Sequence, residues 1–172
     1  MTTMSHPLVI ALFDDPAAAA RAARQLRSSG VPANNVSIVA QSHEAEGLLA
    51  RAADASPGSE IEDSSIASRL GELSAHLIAA VAMVMPGIGP IVADGPLAAG
   101  LGEVAGHLAG GVARTLERAG LPRPVAEQWE ARVGRGEVLI GAHVDASMVD
   151  TARAHLVECG AADVALCSWP ER

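Results

Sequence analysis

Residues 8–16 read Leu-Val-Ile-Ala-Leu-Phe-Asp-Asp-Pro, and this stretch decides the fold class. Leu8 to Phe13 is an unbroken apolar run of strand length. Asp14-Asp15-Pro16 then predicts a helix start, with Asp as the cap and Pro in the first turn, where its missing N–H costs nothing. Arg21, Arg24 and Arg27 lie along one side of the predicted helix. Ala19, Ala22, Ala23 and Leu26 supply its buried side. Gly30-Val31-Pro32 stops it, and Val36 to Ala40 is a second strand.

The other end of the chain repeats the plan. Val138 to Val144 is a predicted strand, Asp145 to Ser147 caps a helix carrying Val149, Ala152 and Leu156, and Gly160 ends that helix. Val164 to Ser168 closes as a strand. Paired βαβ units in one chain predict a four-stranded antiparallel sheet with two helices on one face. The fold class read here is α+β, a ferredoxin-like split βαβ sandwich with an inserted apolar helical hairpin. The chain reads as a single domain over 1–172, in four stretches. They are a first βαβ half at 7–40, an acidic linker with a short helix at 41–63, the hairpin at 64–117, and a helix plus the second βαβ half at 122–168.

The hairpin expectation rests on the apolar, Gly-rich run from Ile66 to Leu116. It breaks at Met85-Pro86-Gly87-Ile88-Gly89-Pro90 and restarts after Asp94-Gly95-Pro96. A further helix, Pro124 to Arg135, carries Val125, Trp129 and Val133 on one stripe, a spacing that means core packing. Residues 73 to 93 hold no charged side chain, yet two prolines and two glycines forbid one spanning helix. Glu72, His76, Glu103 and His107 interrupt the arms, and each carboxylate costs roughly 2–3 kcal/mol in a bilayer. A buried hairpin, partly covered by another subunit, is the expectation, with membrane association as the alternative.

The arms repeat each other. Ile66–Ala80 (IASRLGELSAHLIAA) aligns with Leu97–Gly111 (LAAGLGEVAGHLAGG) at an offset of 31. The apolar stripe recurs as Ile66, Leu70, Leu73, Leu77 and Val81 against Leu97, Leu101, Val104, Leu108 and Val112. Glu72 with His76, and Glu103 with His107, stand about 100° round from that stripe. Both cross pairs, Glu72 with His107 and His76 with Glu103, are centred between Gly89 and Pro90, so folding the arms antiparallel brings them level. Carboxylates and imidazoles projecting inward from facing helices hold iron, manganese or zinc in helical bundles. Two chains pairing their hairpins into a four-helix bundle would gather both sets. The i, i+4 spacing departs from the i, i+3 Glu–His pairing of carboxylate-bridged di-iron sites. A plainer reading stands beside it: such pairs are ordinary helix-surface contacts that fix register in an oligomer.

Composition narrows the rest. All basic residues are Arg, which removes Schiff-base and P-loop chemistry. Phe13, Trp129 and Trp169 are the sole aromatics, so base-stacking platforms are missing. The net charge of -8 and the lack of a basic cluster argue against nucleic acid as a partner. Cys159 and Cys167 read as reduced core thiols. The first residues lack the basic and apolar regions of a secretory signal, so a cytoplasmic location is expected. His6, His43, His143 and His155 have no partners comparable to the Glu–His repeat and read as structural or exposed. No Ser-His-Asp or Cys-His constellation is visible, and no residue supports a small-ligand pocket between sheet and hairpin.

The run Pro86-Gly87-Ile88-Gly89-Pro90-Ile91-Val92-Ala93-Asp94-Gly95-Pro96-Leu97, with Gly120-Leu121-Pro122 before the Trp129 helix and Arg135-Gly136-Glu137-Val138-Leu139-Ile140, carries a resemblance. The chain resembles the bacterial general-stress proteins of the heat-induced YflT type, a group often described as membrane proteins. The resemblance covers most of residues 80 to 168 and, more loosely, the first strand-helix-strand. It implies a stress-linked protein and brings no catalytic residues. Glu72, His76, Glu103 and His107 depart from the more uniformly Gly, Ala and aliphatic middle segment of that group. The functional expectation is a stress-associated homo-oligomer binding a transition metal, di-iron or similar, through those four residues, with ferroxidase-like redox activity if open positions remain. The alternative is a non-catalytic assembly or membrane-surface protein whose hairpin mediates self-association.

Overall fold

The computed structural model describes residues 4–41, 81–85, 88–105 and 111–170. β1 spans Ser5–Phe13 and leads into α1, Pro16–Ser28. Asp15 caps α1 as its spacing predicts, its Oδ1 accepting from the Ala17 N–H at 3.0 Å. Ala19, Ala22, Ala23 and Leu26 are the buried side of α1. A 3-10 turn, Ala33–Asn35, feeds β2, Val36–Gln41. The second half matches the first: β5 is Val138–His143, α5 is Val149–Glu158, and β6 is Asp163–Pro170. Between the halves lie β3 (Val81–Met85), β4 (Gly89–Asp94), α2 (Pro96–Ala105), α3 (Val112–Arg118) and α4 (Arg123–Gly134).

All six strands form one sheet in the order β3-β4-β2-β5-β1-β6, antiparallel at every pairing. β2 and β5 sit at the centre, and β5 pairs on its other side with β1, Leu8 opposite His143 and Phe13 opposite Val138. Side chains alternate between the faces of a strand. On β1, Val9, Ala11 and Phe13 join the core beneath α1 and α5, whereas Leu8, Ile10 and Leu12 join the core beneath α2, α3 and α4. The molecule is therefore a helix–sheet–helix sandwich. A strand covered on both faces needs apolar residues at every position, which is why Leu8 to Phe13 does not alternate. Each fully buried Leu, Ile or Phe contributes about 1.5–3 kcal/mol through area removed from water.

Three expectations are corrected here. The sheet has six strands where four were expected, and helices cover both faces where one covered face was expected. Residues 81–85 and 89–94, expected as a helix end and a turn, pair as the antiparallel strands β3 and β4, with Met85 opposite Gly89. The cause is that β4 finds a partner in β2, with Ala40 opposite Val92 and Ile38 opposite Asp94. The backbone groups of Ile91 to Asp94 are thereby paired in a sheet whose face also buries Ile91 and Ala93. Third, the second predicted arm is not one continuous helix. Gly111 is extended (φ -132, ψ -158) and starts α3 separately from α2. Residues 66–80, the first arm, and residues 42–63 of the acidic linker lie outside the described residues.

Glu130 on α4 accepts from the Ala113 N–H at 2.8 Å, satisfying a free donor at the start of α3. Arg132 on the same helix reaches Glu137 at 2.9 Å and Asp163 at 2.7 Å, joining α4 to the starts of β5 and β6. Cys159 and Cys167 are free thiols. Among the described residues, no helix is long and apolar enough to cross a membrane.

Candidate functional site

Of the residues expected to bind metal, Glu72, His76 and His107 lie outside the described residues. Glu103 is placed by its backbone alone, on the third turn of α2. Leu97 and Leu101 of that helix are buried in the core, as the stripe requires. Among the described residues, no group of three or more His, Cys, Asp and Glu side chains is placed to hold a metal.

A different polar cluster lies on the α2-facing side of the sheet. The Nδ1 of His143, at the end of β5, is 3.0 Å from the Nε2 of His6, at the start of β1. On its other side, His143 Nε2 is 2.9 Å from the Ser37 hydroxyl on β2. The Ser37 oxygen also accepts from the Leu97 N–H at 3.0 Å, in the first turn of α2. A neutral imidazole has one donor and one acceptor nitrogen, so the chain runs in one of two senses. Either Ser37 donates to His143 and His143 donates to His6, or His6 donates to His143 and His143 donates to Ser37.

Packing fixes His143 in this position. Its ring meets the Trp169 ring edge-on, with centroids 5.6 Å apart at 83°. It is 2 % exposed, and burial first, then the neighbouring His6, push its imidazole down to about 3. His143 is thus a neutral hydrogen-bond relay. Ser37 is fully buried and its oxygen accepts from a helix amide, so it has no path to a substrate as a nucleophile.

His6 and His143 open onto a cleft of about 490 Å³ at this end of the sheet. Its walls are the α1–β2 connection from Ser29 to Asn35, Pro96 at the start of α2, and Asp145 and Met148 just after β5. Asp145 is exposed and His6 half-buried, so the polar rim faces solvent while His143 forms the inner wall. Histidines read from the sequence as lacking comparable partners are therefore partners of each other. Local spacing carries no sign of this, because 137 positions separate them; the signal lies in the β1–β5 register. No family model, curated protein or solved structure matches the chain.

Proposed function

We propose that this chain is a ligand-binding domain built on a ferredoxin-like split βαβ plan, with the cleft at the His6–His143 end of the sheet as its binding site. The topology that supports the plan is the order β2-β5-β1-β6 with α1 and α5 on one face. The observation that carries the binding reading is the cleft itself: a concave site of about 490 Å³ where a few polar groups converge beside an otherwise apolar sandwich. Titrating the isotope-labelled chain with a panel of small carboxylate and heteroaromatic fragments tests it. Shifts concentrated on His6, Asn35 and Met148, and lost in Met148→Trp, are expected. Shifts scattered over the surface would overturn the reading.

The second reading is a stress-associated homo-oligomer that binds iron, manganese or zinc through Glu72, His76, Glu103 and His107. It is favoured by the 31-residue repeat and by α2, the helix whose backbone includes Glu103. Elemental mass spectrometry on the wild type and on the Glu72→Gln/Glu103→Gln variant tests it. Near-stoichiometric metal that disappears in the variant supports a metal protein. No metal, with a changed oligomer size in the variant, leaves an assembly element.

A further inference from the structure

The geometry points to a divalent transition-metal ion of the zinc, cobalt, nickel and copper group as the ligand of the cleft, held by His6 Nε2 and His143 Nδ1. This rests on the cleft being the binding site, and it names the ligand.

The two imidazole nitrogens face each other at 3.0 Å. Donors about 2.0–2.1 Å from a tetrahedral ion lie roughly 3.3 Å apart, so replacing the shared proton by an ion opens the pair by a few tenths of an ångström. His6 is half-buried at the cleft wall.

Ser37 completes the argument. A metal-bound histidine ordinarily donates its other ring N–H to an oxygen that fixes tautomer and orientation. The Ser37 oxygen is 2.9 Å from His143 Nε2 and fills that position. In the metal-bound state His143 carries its proton on Nε2 and donates it to Ser37, which accepts from Leu97 as well through its second lone pair. The open volume of the cleft admits water as the remaining ligands. Imidazole nitrogen suits zinc, copper and nickel, whereas an all-oxygen set suits magnesium or calcium.

The test uses the full chain stripped with chelator and titrated with zinc and, separately, cobalt. Calorimetry gives stoichiometry, and nitrogen-detected NMR reads the ring nitrogens of His6 and His143 directly in the wild type. One zinc per chain is expected, with His6 Nε2 and His143 Nδ1 shifted to metal-bound values. His6→Ala is expected to weaken binding by about tenfold or more, while Glu72→Gln/Glu103→Gln leaves this site unchanged. Unshifted imidazole nitrogens at saturating zinc would overturn the inference, as would a zinc affinity indifferent to His6→Ala. The fragment titration separates the failures. Fragments still shifting Asn35 and Met148 without any zinc effect leave the cleft standing and remove the metal, whereas silence in both removes both.

Discussion

Gly95 lies so tightly against β2 that a Cβ placed on it would meet the Val36 carbonyl oxygen at 2.5 Å. Its φ of +79 also sits in the left-handed region that side chains disfavour. Together these pin the β4–α2 turn onto the strand that carries Ser37. Gly95→Ala is expected to destabilise the fold by about 2 kcal/mol or more, since backbone strain and a backbone clash add. The urea midpoint measures it. An unchanged midpoint would mean that the turn is free to lift away from β2.

His143 makes stability depend on pH in a definite direction. Its folded-state value, about 3, lies below its ordinary 6.5, so the unfolded chain binds the extra proton first. The stabilisation is therefore complete above pH 6.5 and is lost as pH falls from 6.5 toward 3. The slope reaches at most about 1.4 kcal/mol per pH unit. Chemical denaturation at stepped pH is expected to show a shallower dependence in His143→Phe than in wild type below pH 6.5. Parallel curves would show that His143 does not titrate as its burial requires.

Trp169 and α2 test how closely the helix lies on the sheet. A Cβ on Gly100 would meet the Trp169 ring at 2.8 Å and the Thr115 methyl at 3.3 Å. In an exposed helix, Gly→Ala gains about 1 kcal/mol. Here overpacking, worth about 1–3 kcal/mol, is expected to outweigh it. Gly100→Ala in a Trp129→Phe background is therefore expected to lower stability and alter Trp169 emission, because the ring must shift against His143. A variant more stable than its parent, with unchanged emission, would contradict this packing.

The cysteines differ in reactivity. Burial pushes the Cys167 thiol up to about 11, and its side chain sits in the core beside β1. Cys159 is half-buried at the end of α5, with its thiol raised less. Iodoacetamide followed by peptide mass spectrometry is expected to label Cys159 in the native protein and Cys167 after unfolding. Equal native labelling would indicate that β6 opens readily.

Much of the outer frame was legible because local chemistry and tertiary packing agreed. Asp15-Pro16 starts α1, the Ala22-Ala23-Leu26 side is buried, and Trp129 with Val133 forms the buried stripe of α4. The β3–β4 pair was not legible. Val81 continues the i, i+4 stripe of the preceding residues, and a five-residue apolar run fits a helix end as well as a strand. Pairing with β2, a non-local fact, decides between them. The second helical layer did leave a trace, since Leu8 to Phe13 lacks alternation, the mark of a strand covered on both sides. The His6–His143 contact left none until strand register was known.

The pairing of β4 with β2 also bears on whether the middle of the chain is a detachable accessory. An insertion that merely loops out can be excised and its ends rejoined. Here the inserted stretch returns to the sheet and covers the edge of β2 from Ile38 to Gln41. A shortened chain joining residue 41 to residue 112 would keep both βαβ halves but bare that row of amides and carbonyls. An uncovered apolar edge recruits other chains. The minimal fold of this protein is thus larger than its repeated halves, and trimming it to them would leave a sheet edge open to aggregation.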